Sequence, residues 1–406
     1  MIRLSYFAAQ EIPAALVTFV SLLIFIQTGT SPALSTMYSA LLSLPWVAKV
    51  WMGRYVQHRQ HLRRSLMAAE LLMVVWLFLL SLILSPSTGL LSFFGIGLGN
   101  GKAIFALLFL LSLTTAWHET VADTKYHQVL RPSLRRIYDT PRMLLSQTMV
   151  VLTYGLLIVL VGTLEVTSRS ILVSWTSACR ITAGAVLLFF LWHAASALLT
   201  RDELHRPVTH KAPSYAPHLT PKRVLLCFLL LLPQSLMFYT RVFYLLTPRA
   251  EGGLSRSLQE VGFAHGVSGA LAFSIGLMLS QWVVARRPLS DMRHVLYNPV
   301  LFSPVIYLLM TYFPPASLWQ LCVCTFLAQL FFGYGLHRAL SQVRLSAMNG
   351  LHMPVVALAM LVPVAFSGWL FQQVDIQTFF WIDALTALLP IGYVLLSIPF
   401  PKLTKA

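Results

Sequence analysis

Apolar runs long enough to cross a bilayer, each closed by a short polar turn, recur from one end of the chain to the other. A helix needs about 20 mostly apolar residues to span the hydrocarbon core, so each run predicts a membrane helix. Twelve runs are read, near 7–27, 32–52, 65–85, 103–123, 143–163, 171–199, 224–246, 257–284, 295–313, 317–338, 347–370 and 377–399. Pro13, Pro45, Pro233 and Pro363 fall inside runs and predict kinks, because proline removes a helix hydrogen bond and clashes with the preceding turn.

The polar turns alternate in charge. Arg54, Arg59, Arg63 and Arg64 follow the second run, and Lys125, Arg131, Arg135, Arg136 and Arg142 flank the turn after the fourth. The alternate turns offer only Lys102, Arg169, Arg249 and Arg256. Basic loops stay in the cytoplasm, so both termini are expected there. The longest polar connection, Thr200 to Lys222, follows the sixth run and carries Arg201, Asp202, Glu203, Arg206, Lys211 and four prolines. The chain therefore reads as an all-α membrane protein of twelve transmembrane helices in two pseudo-symmetric six-helix bundles. The expected boundaries are 1–200 for the first bundle, 201–222 for a cytoplasmic linker and 223–406 for the second.

Composition sharpens this picture. Hydrophobic residues make up 57% of the chain and charged residues 10%. A soluble surface needs about a quarter charged residues, so most of this exterior faces lipid. The net charge of +16 sits in short loops between apolar runs, not on one soluble face, which excludes a nucleic-acid groove. Cys179, Cys227, Cys322 and Cys324 lie in apolar runs and form no disulfide or metal spacing. The first run has no small-residue cleavage site, so it is expected to be a retained span. No phosphate loop, nucleophile elbow or paired metal-ligand spacing is present, so an enzyme, a cofactor and a metal are not expected.

Candidate chemistry comes from charges inside the runs. Glu119 and Asp123 stand four residues apart, which places them on one helix face, one turn apart. Two carboxylates so close favour a shared proton, and the competing reading pairs them with Lys125, Arg131 or Arg142. Ionisable groups within spans are costly and normally face a bundle interior or water. Arg180, among small and hydroxyl residues, and Arg241, among Phe238, Tyr239, Phe243 and Tyr244, are candidate contacts for an anionic solute. Lys49 lies one turn from the end of the second run, where snorkelling competes with function. Glu11 is near the start of the first run. Glu70 and Glu260 read as structural, as does Asp383, and His118 reads as a packing histidine.

Short motifs spread over the chain carry a resemblance. Phe7-Ala-Ala-Gln-Glu-Ile-Pro13 and Leu44-Pro45-Trp46-Val-Ala-Lys49-Val-Trp51 open the chain, Ala116 to Tyr126 ends the fourth run, and Ser367-Gly368-Trp369-Leu370 precedes Phe379-Phe380. These resemble the AmpG-like muropeptide permeases of the major facilitator superfamily, with Glu119 and Asp123 on that family's two acidic positions. Two six-span halves with a site between them are the plan of that fold. The acidic position of the superfamily's loop signature is Gln57 here, and Trp282-Val-Val-Ala285-Arg286-Arg287 also lacks the acid. The fifth run lacks the Gly-x-x-x-Gly-Pro pattern of drug exporters.

The resemblance implies a monomeric, proton-coupled symporter of the inner membrane that takes up an anionic sugar-peptide such as a muropeptide. Glu119 and Asp123 would carry protons. Arg241, Arg180, Lys49 and Tyr239 would contact solute. A siderophore or acyl-coenzyme A carrier, a drug exporter and a membrane-embedded lipid enzyme are the competing readings.

Overall fold

The computed structural model describes residues 4–57, 61–85, 100–130, 132–199, 221–286, 296–342 and 352–397. Among the described residues there are helices and turns and no strand. That is the outcome expected in lipid, where a helix satisfies every backbone group within its own segment.

Among the described residues, ten helices are long and apolar enough to span: Ser5–Gln27, Leu62–Leu84, Gly101–Val129, Ile137–Ser168, Ile171–Leu199, Val224–Leu246, Leu258–Arg286, Leu318–Ser341, Pro354–Gln373 and Ile376–Leu396. They correspond to predicted spans 1, 3 to 8 and 10 to 12. The other two predicted spans are present in altered form. The second is broken into Pro32–Leu41, Leu44–Val47 and Lys49–Val56. Pro45 lies in the first turn of the middle piece, where its missing N–H costs nothing. The ninth is Pro299–Tyr312, which covers only about 20 Å against a hydrocarbon core of about 30 Å. Pro13 sits inside the first span and is followed by a π-helical stretch, Leu16–Val20, a common device where a helix must absorb a missing backbone bond.

The third span packs between the fourth and the sixth in the first bundle, and the eighth packs on the tenth in the second. The bundles meet along two seams, the second span on the eleventh and the fifth on the eighth. Close approach at the seams is set by small residues. A Cβ on Gly155 would meet the backbone of Gly266, and one on Gly266 would meet that of Gly155. Gly368 meets the side chain of Thr36 and the backbone of Pro32 in the same way. The linker expected at 201–222 lies outside the described residues except for its last two positions.

Candidate functional site

The fourth span begins at an Asn100 cap, whose side chain accepts from Lys102 N at 3.0 Å. Along its buried face Thr115, Thr120 and Thr124 donate to carbonyls one turn back, at 2.7, 2.7 and 2.8 Å. The hydroxyls are thereby satisfied within the helix, which leaves its carboxylates free to reach neighbours. Glu119 Oε1 accepts from Lys49 Nζ at 2.7 Å, and Glu119 Oε2 accepts from Trp46 Nε1 at 2.8 Å. Asp123 Oδ2 accepts from the same Lys49 ammonium at 2.9 Å, and Asp123 Oδ1 accepts from Arg142.

The break in the second span thus sets Trp46 and Lys49 on either side of Ala48, both directed at Glu119. The Arg142 guanidinium lies 3.8 Å from the Phe7 ring centroid and 5.1 Å from that of Tyr126, a cation–π arrangement. Glu11 lies near Ser146 and within electrostatic reach of Glu119 and Arg142; His127 lies within reach of Asp123. Three carboxylates therefore share two permanent cations in the first bundle.

A second group was not singled out by the sequence. Glu70, His118 and His193 are each fully buried, from the third, fourth and sixth spans. Glu70 Oε1 lies 2.7 Å from His193 Nδ1 and 3.3 Å from His118 Nε2. Glu70 and His193 are 123 residues apart in sequence, and no local spacing signals the contact. Among the described residues no set of His, Cys, Asp and Glu is arranged to hold a metal.

The third group lies where the bundles meet. Tyr154 of the fifth span and His265 of the eighth are joined at 3.0 Å between the hydroxyl and Nδ1. Arg241 is within electrostatic reach of both and of Tyr307, and its guanidinium lies 5.1 Å from the Phe238 ring centroid. Arg241 is 2% exposed, yet its Nε and Nη1 have no hydrogen-bond partner among the described residues, and no carboxylate pairs with it there. His265 Nε2 is buried and unpartnered among them as well. Buried polar groups are normally satisfied, so these nitrogens have hydrogen-bonding capacity to spare. Phe19 stacks on Tyr154 at 4.7 Å and tilts against Phe238 at 5.7 Å, so the first bundle supplies an aromatic wall.

The remaining residues singled out above separate clearly. Tyr239 donates to the Thr18 carbonyl of the first bundle at 2.6 Å, a latch between the halves. Lys49 is held by two carboxylates. Arg180 is exposed on the outer stripe of the sixth span with Ile181, Leu188 and Leu191, away from the groups just described. Asp383 is buried, and neither carboxyl oxygen has a partner among the described residues.

No family model matches the sequence, and no curated protein matches it. Solved structures do. The inward-open xylose transporter XylE from E. coli aligns at a TM-score of 0.65 with 12% identity, covering 99% of this chain and 96% of that one. The nucleoside transporter NupG, in a mutant form, aligns at 0.64 with 10% identity, over 97% and 98%. A bacterial homologue of the iron transporter ferroportin, inward-facing, aligns at 0.64 with 13% identity, over 97% and 96%. Agreement over whole chains at such low identity establishes the major facilitator fold for this protein.

Proposed function

We propose that this protein is a proton-coupled secondary transporter that moves an anionic solute by alternating access, and not an enzyme. The observation that carries the reading is Arg241, a buried guanidinium with no ionic partner among the described residues, beside a tyrosine–histidine contact that joins the two bundles. A buried unpaired charge is costly, and an anion bound there would supply the missing partner. Held by Tyr154 from one bundle and by Arg241 and His265 from the other, such an anion would bias how the halves sit.

Coupling is assigned to the Glu11, Glu119 and Asp123 carboxylates. They outnumber Lys49 and Arg142, and a proton on Glu119 or Asp123 removes the excess negative charge. The inner membrane, a monomer and bundle boundaries at 1–200 and 223–406 belong to the same reading, as do cytoplasmic termini, which the loop charges support. A muropeptide-like sugar-peptide is the leading solute. Its carboxylates suit Arg241, and its sugar rings suit the wall of Phe19, Tyr154 and Phe238.

Uptake of a labelled muropeptide into proteoliposomes with an imposed pH gradient is the test. Accumulation is expected to follow the gradient and to be lost in Arg241→Gln. Accumulation that ignores the gradient in the wild type would remove the coupling claim. Undiminished uptake by Arg241→Gln would remove the anion site.

A further inference from the structure

Glu70, His118 and His193 occupy the interior of the first bundle, and their arrangement poses a charge problem. Two imidazoles approach a single carboxylate oxygen, Glu70 Oε1, while Glu70 Oε2 is buried with no partner among the described residues. Among the described residues, the charged groups that act most strongly on Glu70 are the two histidines. The first span adds Ser5, whose hydroxyl lies 2.8 Å from His193 Nε2, and Gln10, whose Oε1 lies 3.4 Å from His118 Nδ1. It also adds Tyr6, stacked on the His193 ring at 4.0 Å. From the fourth span Lys125 lies over the Tyr6 ring at 5.0 Å, one residue removed from the cluster, and from the sixth Phe189 tilts against His193.

A carboxylate with two neutral imidazoles would leave one bare negative charge in a site closed to water, which is the costliest way to bury these groups. One additional proton makes the set neutral. The polar contacts suit one seat for it. His193 is satisfied as a neutral ring, donating from Nδ1 to Glu70 and accepting at Nε2 from Ser5. With the Gln10 amide in this orientation, His118 faces an acceptor on each side, Glu70 Oε1 at Nε2 and Gln10 Oε1 at Nδ1, an arrangement that suits a proton on both nitrogens. Turning the Gln10 amide over lets its NH2 group serve a neutral His118, so the same residues accommodate the cluster with and without the proton.

We infer that Glu70, His118 and His193 form a second proton-binding site, buried in the first bundle, that holds one proton in common with its seat on His118. Release takes one proton from His118 Nδ1 to water, leaves the carboxylate and two neutral imidazoles, and changes the net charge by minus one. Binding ties Gln10 of the first span to His118 of the fourth. The residues next in sequence, Glu11 and Glu119, belong to the ion cluster around Lys49, so the two sites share the first and fourth spans.

The test needs neither solute nor transport, so its failure is distinct from failure of the carrier reading. The full-length protein, with isotope-labelled histidine rings, is titrated in lipid nanodiscs between about pH 8 and about pH 5, the range over which imidazole changes charge. The His118 signal is identified by its loss in His118→Gln. Glu70→Gln is expected to weaken proton binding at His118 by at least about tenfold, one unit on the pH axis. His193→Gln, which takes the closer imidazole from the carboxylate, is expected to strengthen it. Should Glu70→Gln fail to fold, His193→Gln decides alone. A His118 ring that stays neutral throughout, or a midpoint unmoved by His193→Gln, would overturn the inference.

Discussion

Charge is buried in both bundles, but it is handled in opposite ways. In the first, Lys49 and Arg142 are matched by Glu119 and Asp123, and Glu70 is matched by two histidines. In the second, the Arg241 guanidinium is buried without an ionic partner among the described residues, while the equally unpartnered Asp383 carboxyl escapes the cost by holding its proton. Matched charges hold helices together and resist removal one at a time. An unmatched charge is costly in the empty protein. In the transporter proposed above, the matched side would serve coupling and the unmatched side solute capture.

The sharpest way to break this comparison is to unbalance the matched side. Lys49→Met leaves Glu11, Glu119 and Asp123 facing Arg142 alone and is expected to cost about 3–5 kcal/mol, read as a large fall in thermal stability in detergent. Adding Glu119→Gln to it removes one charge of each sign while Asp123 keeps Arg142, and most of the loss should return. A Lys49→Met protein as stable as the wild type would show that these ions are not a structural unit.

The unmatched side should behave in reverse. Arg241→Gln is expected to abolish uptake while leaving the stability of the solute-free protein unchanged or higher, because a costly buried charge is gone. A drop like that of Lys49→Met would place an unseen partner on Arg241 and erase the contrast. A smaller effect comes from the latch. Tyr239→Phe removes the bond to the Thr18 carbonyl and should lower stability by about 1 kcal/mol. Its uptake rate, compared with that of the wild type, reports whether the latch limits the exchange between states.

The smallest effect lies outside the spans. Asp375 caps the twelfth span, accepting from Thr378 N at 2.9 Å and Thr378 Oγ1 at 2.6 Å. These bonds hold its carboxyl below the usual carboxylate range. A depressed carboxylate stabilises above its unfolded-state pKa and loses that contribution as pH falls through its folded-state value. Asp375→Ala should therefore lower the melting temperature slightly near neutral pH and leave it unchanged in acid, measured by thermal unfolding at both.

Residue by residue, the legible and the illegible divide along one line. The spacing of Glu119 and Asp123 announced a shared face, and Arg142 was among the cations foreseen for it. Lys49 stood out as a charge within a run, but its engagement by both acids depends on the broken second span. Arg180 and Arg241 were equivalent in sequence, each a cation in the interior of an apolar run. One is exposed on the outer stripe of its helix and the other is buried near the seam. Pro45 predicted a kink, and the chain instead breaks into separate short helices around it. The Glu70, His118 and His193 cluster had no signature, because its members come from three helices.

The amino-acid order alone determined that this chain lives in a bilayer as a set of helices. That is a sum over local windows, and an excess of apolar side chains with few charges has no other stable place. It also determined which charges would be forced inside. Only the tertiary structure decided which of them meet. Each residue advances a helix by about 100°, so the neighbour of a buried charge depends on rotation and lateral packing, to which residues far apart in the chain contribute equally.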